Sequence, residues 1–159
     1  MLKEARQKAG LSREEAAWRL HIGTRTLFEY EKGNVLVPPD VVLRMAAVYK
    51  QPMITAKYCE ESCPIGQVYA NPVTVRSLCG AVLGLLKEHA HVAQIRNRLV
   101  DIAEDGVIDE KEMKEFEAIL EELIELEQQI ESLKLYAATV INLPAIIKRV
   151  KEKAAKAAL

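Results

Sequence analysis

The sequence predicts an all-α protein, and three observations support this prediction. Only 5% of the residues are aromatic and only 7 of 159 are glycine, whereas apolar residues, mostly Leu, Ile, Val and Ala, make up 50%. Apolar side chains recur at three- and four-residue intervals, which is the spacing of one face of an α-helix. The second half also carries a seven-residue apolar repeat. We therefore expect a small helical domain followed by a helical hairpin or bundle that contains one long heptad-repeat helix.

Three short helices are predicted at the start of the chain. They cover about Leu2–Ala9, Arg13–Leu20 and Thr24–Glu31. Ser12 and Glu15 form a capping-box pattern before the second helix, and Gly33 can end the third helix in a left-handed conformation. Two short helices joined by a tight turn have the shape that places the second helix in a DNA major groove.

The segment from Leu11 to Gly33 resembles the helix-turn-helix of the phage repressor and Cro family, also called the XRE type. The resemblance extends over about Leu2 to Lys50. The family pattern is matched in register by Glu14, Glu15, Ala17, Leu20, Ile22, Thr26, Leu27, Glu31 and Gly33. Two positions depart from it, since His21 replaces the usual turn glycine and Gly23 replaces the usual Ser or Thr N-cap. The resemblance implies an N-terminal five-helix, repressor-like DNA-binding domain.

The resemblance also implies which residues contact DNA. They are Arg13, Thr24, Arg25, Phe28, Glu29, Lys32 and Asn34. Arg13 is expected at the phosphate backbone, and Lys32 and Asn34 are candidates for phosphate contacts. Thr24, Arg25 and Glu29 are expected where the recognition helix meets base edges; Arg25 can bind guanine in a bidentate fashion, and Thr24 can touch a thymine methyl or a phosphate. Phe28 is expected either to contact a methyl group or to pack on a neighbouring residue. Glu29 can accept a hydrogen bond from cytosine or form an i, i+4 pair with Arg25. Arg6 matches the family arginine that pairs with the glutamate at Glu31.

The domain boundaries follow from where helical periodicity stops. A fourth helix is expected to start at Pro39 and run to about Tyr49, and a short fifth helix to cover about Ile54–Cys59. We predict a DNA-binding domain at 1–58, a connector containing Cys and Pro at 59–72, and a helical C-terminal dimerisation or regulatory domain at 73–159.

In the C-terminal part, the apolar spacing predicts either one bent helix or a pair of helices up to Gly106, followed by a long heptad helix. Asp109 and Glu112 form a second capping-box pattern at the start of that helix. The expected dimerisation residues are Phe116, Ile119, Leu123, Leu126, Ile130 and Leu133. The same stripe is also compatible with an intramolecular three-helix bundle, and the two arrangements can coexist. A last helix with a basic end is expected after Pro144.

Two segments suggest other chemistry, each with a plainer alternative. Cys59 and Cys63 have the i, i+4 spacing of a redox pair or part of a metal site, but free cysteines are also common as inert apolar residues. The segment 101–112 resembles an EF-hand calcium loop with Ala103 at the third position, but a helix end followed by a capping box explains Gly106, Asp109 and Glu112 without a metal. We predict no cofactor and no bound metal.

The charge distribution favours a DNA-binding head on a protein-binding body. Residues 1–57 hold ten Lys/Arg and six Asp/Glu, a net charge of +4, and residues 58–159 hold twelve and seventeen, a net charge of −5. No nucleophile, phosphate-loop or two-histidine metal motif indicates an enzyme. We expect a cytoplasmic regulator, with no membrane partner, that binds a palindromic operator in double-stranded DNA as a homodimer; the sequence identifies no effector. The alternatives are a protein-interaction adaptor that does not bind DNA and a regulator switched through Cys59 and Cys63.

Overall fold

The computed structural model describes residues 1–72, 74 and 76–157. Over these residues the chain forms nine α-helices and no strand, which confirms the all-α prediction. The chain divides into two compact units, Met1–Ala70 and Asn71–Leu159. Val73, at the predicted start of the C-terminal domain, lies outside the described residues. Among those residues, no helix combines the length and apolar character that crossing a membrane requires.

The first unit contains six helices. They are α1 (Leu2–Lys8), α2 (Arg13–Leu20), α3 (Thr24–Lys32), α4 (Pro39–Val48), α5 (Met53–Glu61) and α6 (Gly66–Tyr69). The first five lie within two residues of their predicted bounds. They share one core in which Leu20, Leu27 and Met45 are completely buried. Ala16 and Ala17 are also buried, so the small side chains of α2 allow its neighbours to approach closely.

The predicted capping box of α2 forms only in part. Ser12 Oγ accepts a hydrogen bond from the backbone N–H of Glu15 at 3.0 Å, as an N-cap residue should. The Glu15 carboxylate accepts no hydrogen bond from the backbone N–H of Ser12, and its hydrogen-bond donor is Arg19 Nε at 2.8 Å. Only the Ser12 half of the capping box is therefore present at the start of α2, while Glu15 and Arg19 form an exposed ion pair along the helix.

The segment predicted as a connector is partly folded onto the first unit. Helix α6 starts at Gly66, which is buried against the last part of α5. A Cβ atom at Gly66 would overlap the carbonyl oxygen of Cys59 and lie 2.5 Å from its carbonyl carbon. Only glycine allows this close approach of two backbones. The prediction of a connector over 59–72 missed α6 because the sequence does not show this contact.

The second unit is built on a helical hairpin. The hairpin is formed by α7 (Leu78–Ile102) and α8 (Met113–Ala137), and the unit also contains α9 (Leu143–Ala157). Residues 78–102 form one continuous helix, which resolves the choice between one helix and two. Between α7 and α8, Asp109 Oδ1 accepts from the N–H of Glu112 at 2.9 Å, and Glu112 Oε2 accepts from the N–H of Asp109 at 3.1 Å. This second capping box is complete.

Side chains that meet across the hairpin follow a seven-residue register. Arg98 pairs with Glu115, His91 Nδ1 lies 3.6 Å from Glu122 Oε2, and a Cβ atom at Gly84 would meet the side chain of Gln129. These positions are seven residues apart on each helix and run in opposite directions, so α7 and α8 are antiparallel. The heptad pattern of α8 is therefore matched by α7 of the same chain.

Candidate nucleic-acid interface

The helix-turn-helix geometry comes from α2, α3 and the three residues between them. Leu20 ends α2 and Leu27 lies in the middle of α3, and both are completely buried, which fixes the two helices against each other. His21 takes the left-handed conformation with φ 55°, so histidine does adopt the backbone geometry for which the family pattern usually has glycine. Gly23 precedes α3 in an extended conformation and provides no side-chain cap.

The first turn of α3 is open to solvent. Thr24, Arg25 and Thr26 are exposed, whereas Leu27 faces the core. Within the described residues, the guanidinium of Arg25 forms no ion pair or hydrogen bond with the rest of the chain. Its donors are therefore available for an external acceptor such as a base edge.

Phe28, an unusual residue for an exposed helix face, lies close to two cations. The guanidinium of Arg13 is 5.0 Å from the centre of its ring, and Lys32 Nζ is 5.7 Å away. Both distances are within the range of cation–π attraction. The ring therefore holds two of the predicted phosphate-contacting cations next to α3, and Phe28 itself is only partly exposed.

Glu31 joins three helices through buried charge pairs. Its carboxylate accepts from Arg6 Nε at 2.5 Å and from Arg13 Nε at 3.2 Å, and Arg6 also donates to the carbonyl of Leu11 at 2.8 Å. The Glu31 side chain is only 2% exposed. Burial raises the pKa of its carboxyl, but the hydrogen bonds from Arg6 and Arg13 outweigh this effect and hold the pKa below its usual value. The Arg6–Glu31 pair that the family resemblance implied is present, and it also anchors Arg13.

Glu29 does not pair with Arg25, so that alternative is wrong. Its Oε2 accepts instead from Asn34 Nδ2 at 2.7 Å. Gly33 is left-handed with φ 76°, and it turns the chain so that the N–H of Asn34 bonds to the carbonyl of Glu29 at 3.1 Å. This arrangement is a Schellman motif, and it brings the Asn34 side chain next to Glu29. Asn34 is exposed but already has an acceptor.

One prominent surface residue was not predicted from the sequence. Trp18, the single tryptophan of the chain, is 73% exposed on α2. Since Ala16, Ala17 and Leu20 define the buried face of α2, helical spacing alone puts residue 18 on the outside. That spacing was the signal that could have found it.

The predicted cysteine pair lies on less regular structure than expected. Helix α5 ends at Glu61, so Cys63 lies beyond the helix and the i, i+4 argument does not apply. Cys59 is exposed and Cys63 partly buried, and both are free thiols, as is the exposed Cys79. The described structure therefore gives no geometric support for a redox pair.

The segment 101–112 adopts the capped-helix alternative rather than a calcium loop. Asp101, the first position of the EF-hand pattern, is still within α7. Asp105 Oδ1 accepts from the N–H of Val107 at 2.9 Å, and Asp109 caps the next turn. Both carboxylates accept hydrogen bonds from backbone N–H groups, so the sequence pattern is explained without a bound ion.

Comparison with known proteins agrees with this geometry. Residues 1–53 match the family described as a helix-turn-helix domain. Over 48 residues the chain is 44% identical to the HTH-type transcriptional regulator ImmR of Bacillus subtilis (strain 168). That match covers 30% of this chain and 38% of the relative. No solved structure gives a significant match. The first third of the chain is therefore a helix-turn-helix domain, as its resemblance to the phage repressor and Cro type implied.

Proposed function

We propose that this protein is a transcriptional regulator that reads DNA with α3. The observation that carries the proposal is the exposed first turn of α3, where Thr24 and Arg25 face solvent on a helix fixed by the buried Leu27. In helix-turn-helix proteins the N-terminal residues of the second helix contact base edges in the major groove. The similarity to a helix-turn-helix transcriptional regulator supports the same role here.

Phosphate contacts come from the cations next to α3. Arg13 is held by Glu31 and by the ring of Phe28, and Lys32 also lies within cation–π distance of that ring. Cations that are positioned before binding lose less conformational entropy when they meet a phosphate. We therefore assign Arg13 and Lys32 to the backbone contacts that set the register of α3, and Arg25 to base reading.

The second unit is the proposed homodimerisation element. A hairpin of two helices leaves one side of its apolar surface without a partner, and large apolar side chains are exposed on both helices. They are Leu83 and Leu86 on α7, and Leu120, Ile124 and Ile130 on α8. Of the predicted heptad residues, Ile119 is buried within its own unit, so it is not available to a partner. Pairing of two hairpins into a four-helix bundle covers the exposed stripe.

A dimer provides two copies of α3 for one DNA duplex. Half-sites are then expected about one helical turn apart, near 34 Å, in a palindromic arrangement. Selection of bound fragments from random DNA tests the proposal, and the expected result is a palindrome. Retention of no preferred sequence contradicts base reading by α3 and favours an adaptor role.

Sedimentation equilibrium at micromolar concentration tests the dimer separately. A dimer is expected for the wild type. Leu86→Glu on α7 or Ile124→Glu on α8 should shift it to monomer, because each places a charge on the exposed apolar stripe. Glu125→Gln, an exposed change on α8 about 100° around the helix from Ile124, is the control and should remain dimeric. A wild-type monomer at all concentrations contradicts the assignment.

A further inference from the structure

Three metal-binding side chains converge in the middle of the α7–α8 hairpin. Glu88 and His91 lie one turn apart on α7, and Glu122 reaches them from α8. His91 Nδ1 is 3.2 Å from Glu88 Oε2 and 3.6 Å from Glu122 Oε2. One ligand atom from each residue lies within 4.8 Å of the other two. Two atoms bound to one ion at about 2.1 Å are separated by roughly 3.0–3.5 Å, and the two distances from His91 Nδ1, 3.2 and 3.6 Å, are close to this range.

A second observation is that two carboxylate oxygens of this cluster are buried without a hydrogen-bond donor. The Glu88 side chain is only 7% exposed, and its Oε2 is buried without a hydrogen-bond donor among the described residues. Glu122 Oε2 is in the same condition. Lys87 Nζ donates to the other oxygen, Oε1 of Glu88, at 2.9 Å, so it does not satisfy Oε2. A buried carboxylate oxygen without a donor costs free energy, and folded proteins normally supply a partner.

The imidazole of His91 does not remove this cost. Nδ1 lies 3.2 Å from Glu88 Oε2, which is an ion-pair distance when the imidazole is protonated, but the contact does not have the geometry of a full hydrogen bond. A protonated Nδ1 carries a single hydrogen, which serves one carboxylate oxygen well but not both. A divalent cation binds all three ligand atoms at once, and two carboxylates with a neutral imidazole balance its charge.

We propose that Glu88, His91 and Glu122 bind a divalent transition-metal ion that links α7 to α8. Imidazole nitrogen suits Zn²⁺ and Fe²⁺, and carboxylate oxygen suits Mn²⁺, so the mixed set fits this class better than Ca²⁺ or Cu⁺. Three protein ligands leave further coordination positions to water. The pair at Arg98 and Glu115 lies one heptad away along the hairpin, so the ion adds a second polar link between the two helices.

Mn²⁺ is the probe that separates this site from the thiols. Cys59, Cys63 and Cys79 are all free and bind Zn²⁺ readily, but thiolates are poor ligands for Mn²⁺. We would titrate the metal-free 159-residue chain with MnCl₂ and follow the loss of the free-ion electron paramagnetic resonance signal. The expected result is one Mn²⁺ per chain, and a higher melting temperature in the presence of Mn²⁺.

Variants locate the ion. Glu122→Gln and His91→Ala should each weaken Mn²⁺ binding at least tenfold and abolish the rise in melting temperature, because each removes a direct ligand. Glu122→Gln keeps the side-chain shape at a half-exposed position, so it tests the site even if His91→Ala fails to fold. His89→Ala, on the same helix but outside the cluster, should bind like the wild type. Absence of Mn²⁺ binding at millimolar concentration, or binding that both ligand variants retain, overturns the proposal.

Discussion

Glu31→Gln is expected to destabilise the first unit strongly and in a pH-dependent way. The substitution removes the charge that pairs with Arg6 and Arg13, whose side chains are 8% and 31% exposed. Arg6 then keeps the Leu11 carbonyl as its main acceptor, so a buried guanidinium is left largely uncompensated. Removing one partner of a buried pair costs about 3–5 kcal/mol, and the glutamine oxygen can still accept one hydrogen bond. We therefore expect a loss of about 3 kcal/mol.

Hydrogen exchange measures this loss in the first unit alone. A decrease of about 3 kcal/mol corresponds to a roughly hundredfold faster exchange of the protected amides, since 1.4 kcal/mol is tenfold. The amides to follow are those of α2, α3 and α4, which share the core. Glu14→Gln removes an equal charge from an exposed position of α2 and should change exchange less than tenfold.

The stabilising contribution of Glu31 should decrease as the pH falls. Because the folded-state pKa of Glu31 is lowered from 4.5, its stabilising contribution is fully present above about pH 4.5. The contribution is lost as the pH falls below that value and the carboxylate is protonated in the folded state. The difference in stability between wild type and Glu31→Gln, measured by hydrogen exchange, should therefore become smaller at acidic pH. Equal exchange in the two proteins at neutral pH, or a difference that does not change with pH, refutes this account of Glu31.

Two further substitutions test other parts of the first unit. Gly66→Ala places a methyl group against the backbone of Cys59, so α6 should detach from α5 at a cost of about 1–3 kcal/mol. Proteolysis near residue 66 should then become faster, while DNA affinity is unchanged. An unchanged rate of proteolysis argues against the docking of α6. Phe28→Ala removes the ring shared by Arg13 and Lys32. It should weaken binding to all DNA sequences by a similar factor, about 0.5–1 kcal/mol per lost contact, as measured by fluorescence anisotropy; a loss confined to one sequence would instead make Phe28 a base contact.

Much of the first unit could be predicted because its signals are local. Ser12 and Gly33 mark helix ends through their own backbone and side-chain chemistry, and apolar spacing identifies Leu20 and Leu27 as buried. The pair of Arg6 and Glu31 is 25 positions apart in the chain, and only the family resemblance indicated it.

What the sequence could not show depends on contacts between distant segments. Helix α6 packs closely on α5 at Gly66, and the local sequence does not indicate that contact. The position of Glu122 opposite Glu88 and His91 depends on the register of the α7–α8 hairpin. A heptad pattern on α8 gives the apolar stripe but not the partner helix, so it could not separate an intramolecular hairpin from a dimer.

Equilibrium binding of wild type and Arg25→Ala to a selected DNA site, over a range of salt concentrations, tests the central claim most directly. The wild type should bind with an affinity that falls as salt rises, because phosphate contacts release counterions. Arg25→Ala should lose about 1–3 kcal/mol on the selected site and much less on unrelated DNA, since it removes a base contact. Arg44→Ala removes the same charge from an exposed position of α4 and should leave the preference for the selected site unchanged. An affinity that does not distinguish the selected site from unrelated DNA, or an equal loss on both DNAs in Arg25→Ala, would contradict the claim that α3 reads DNA.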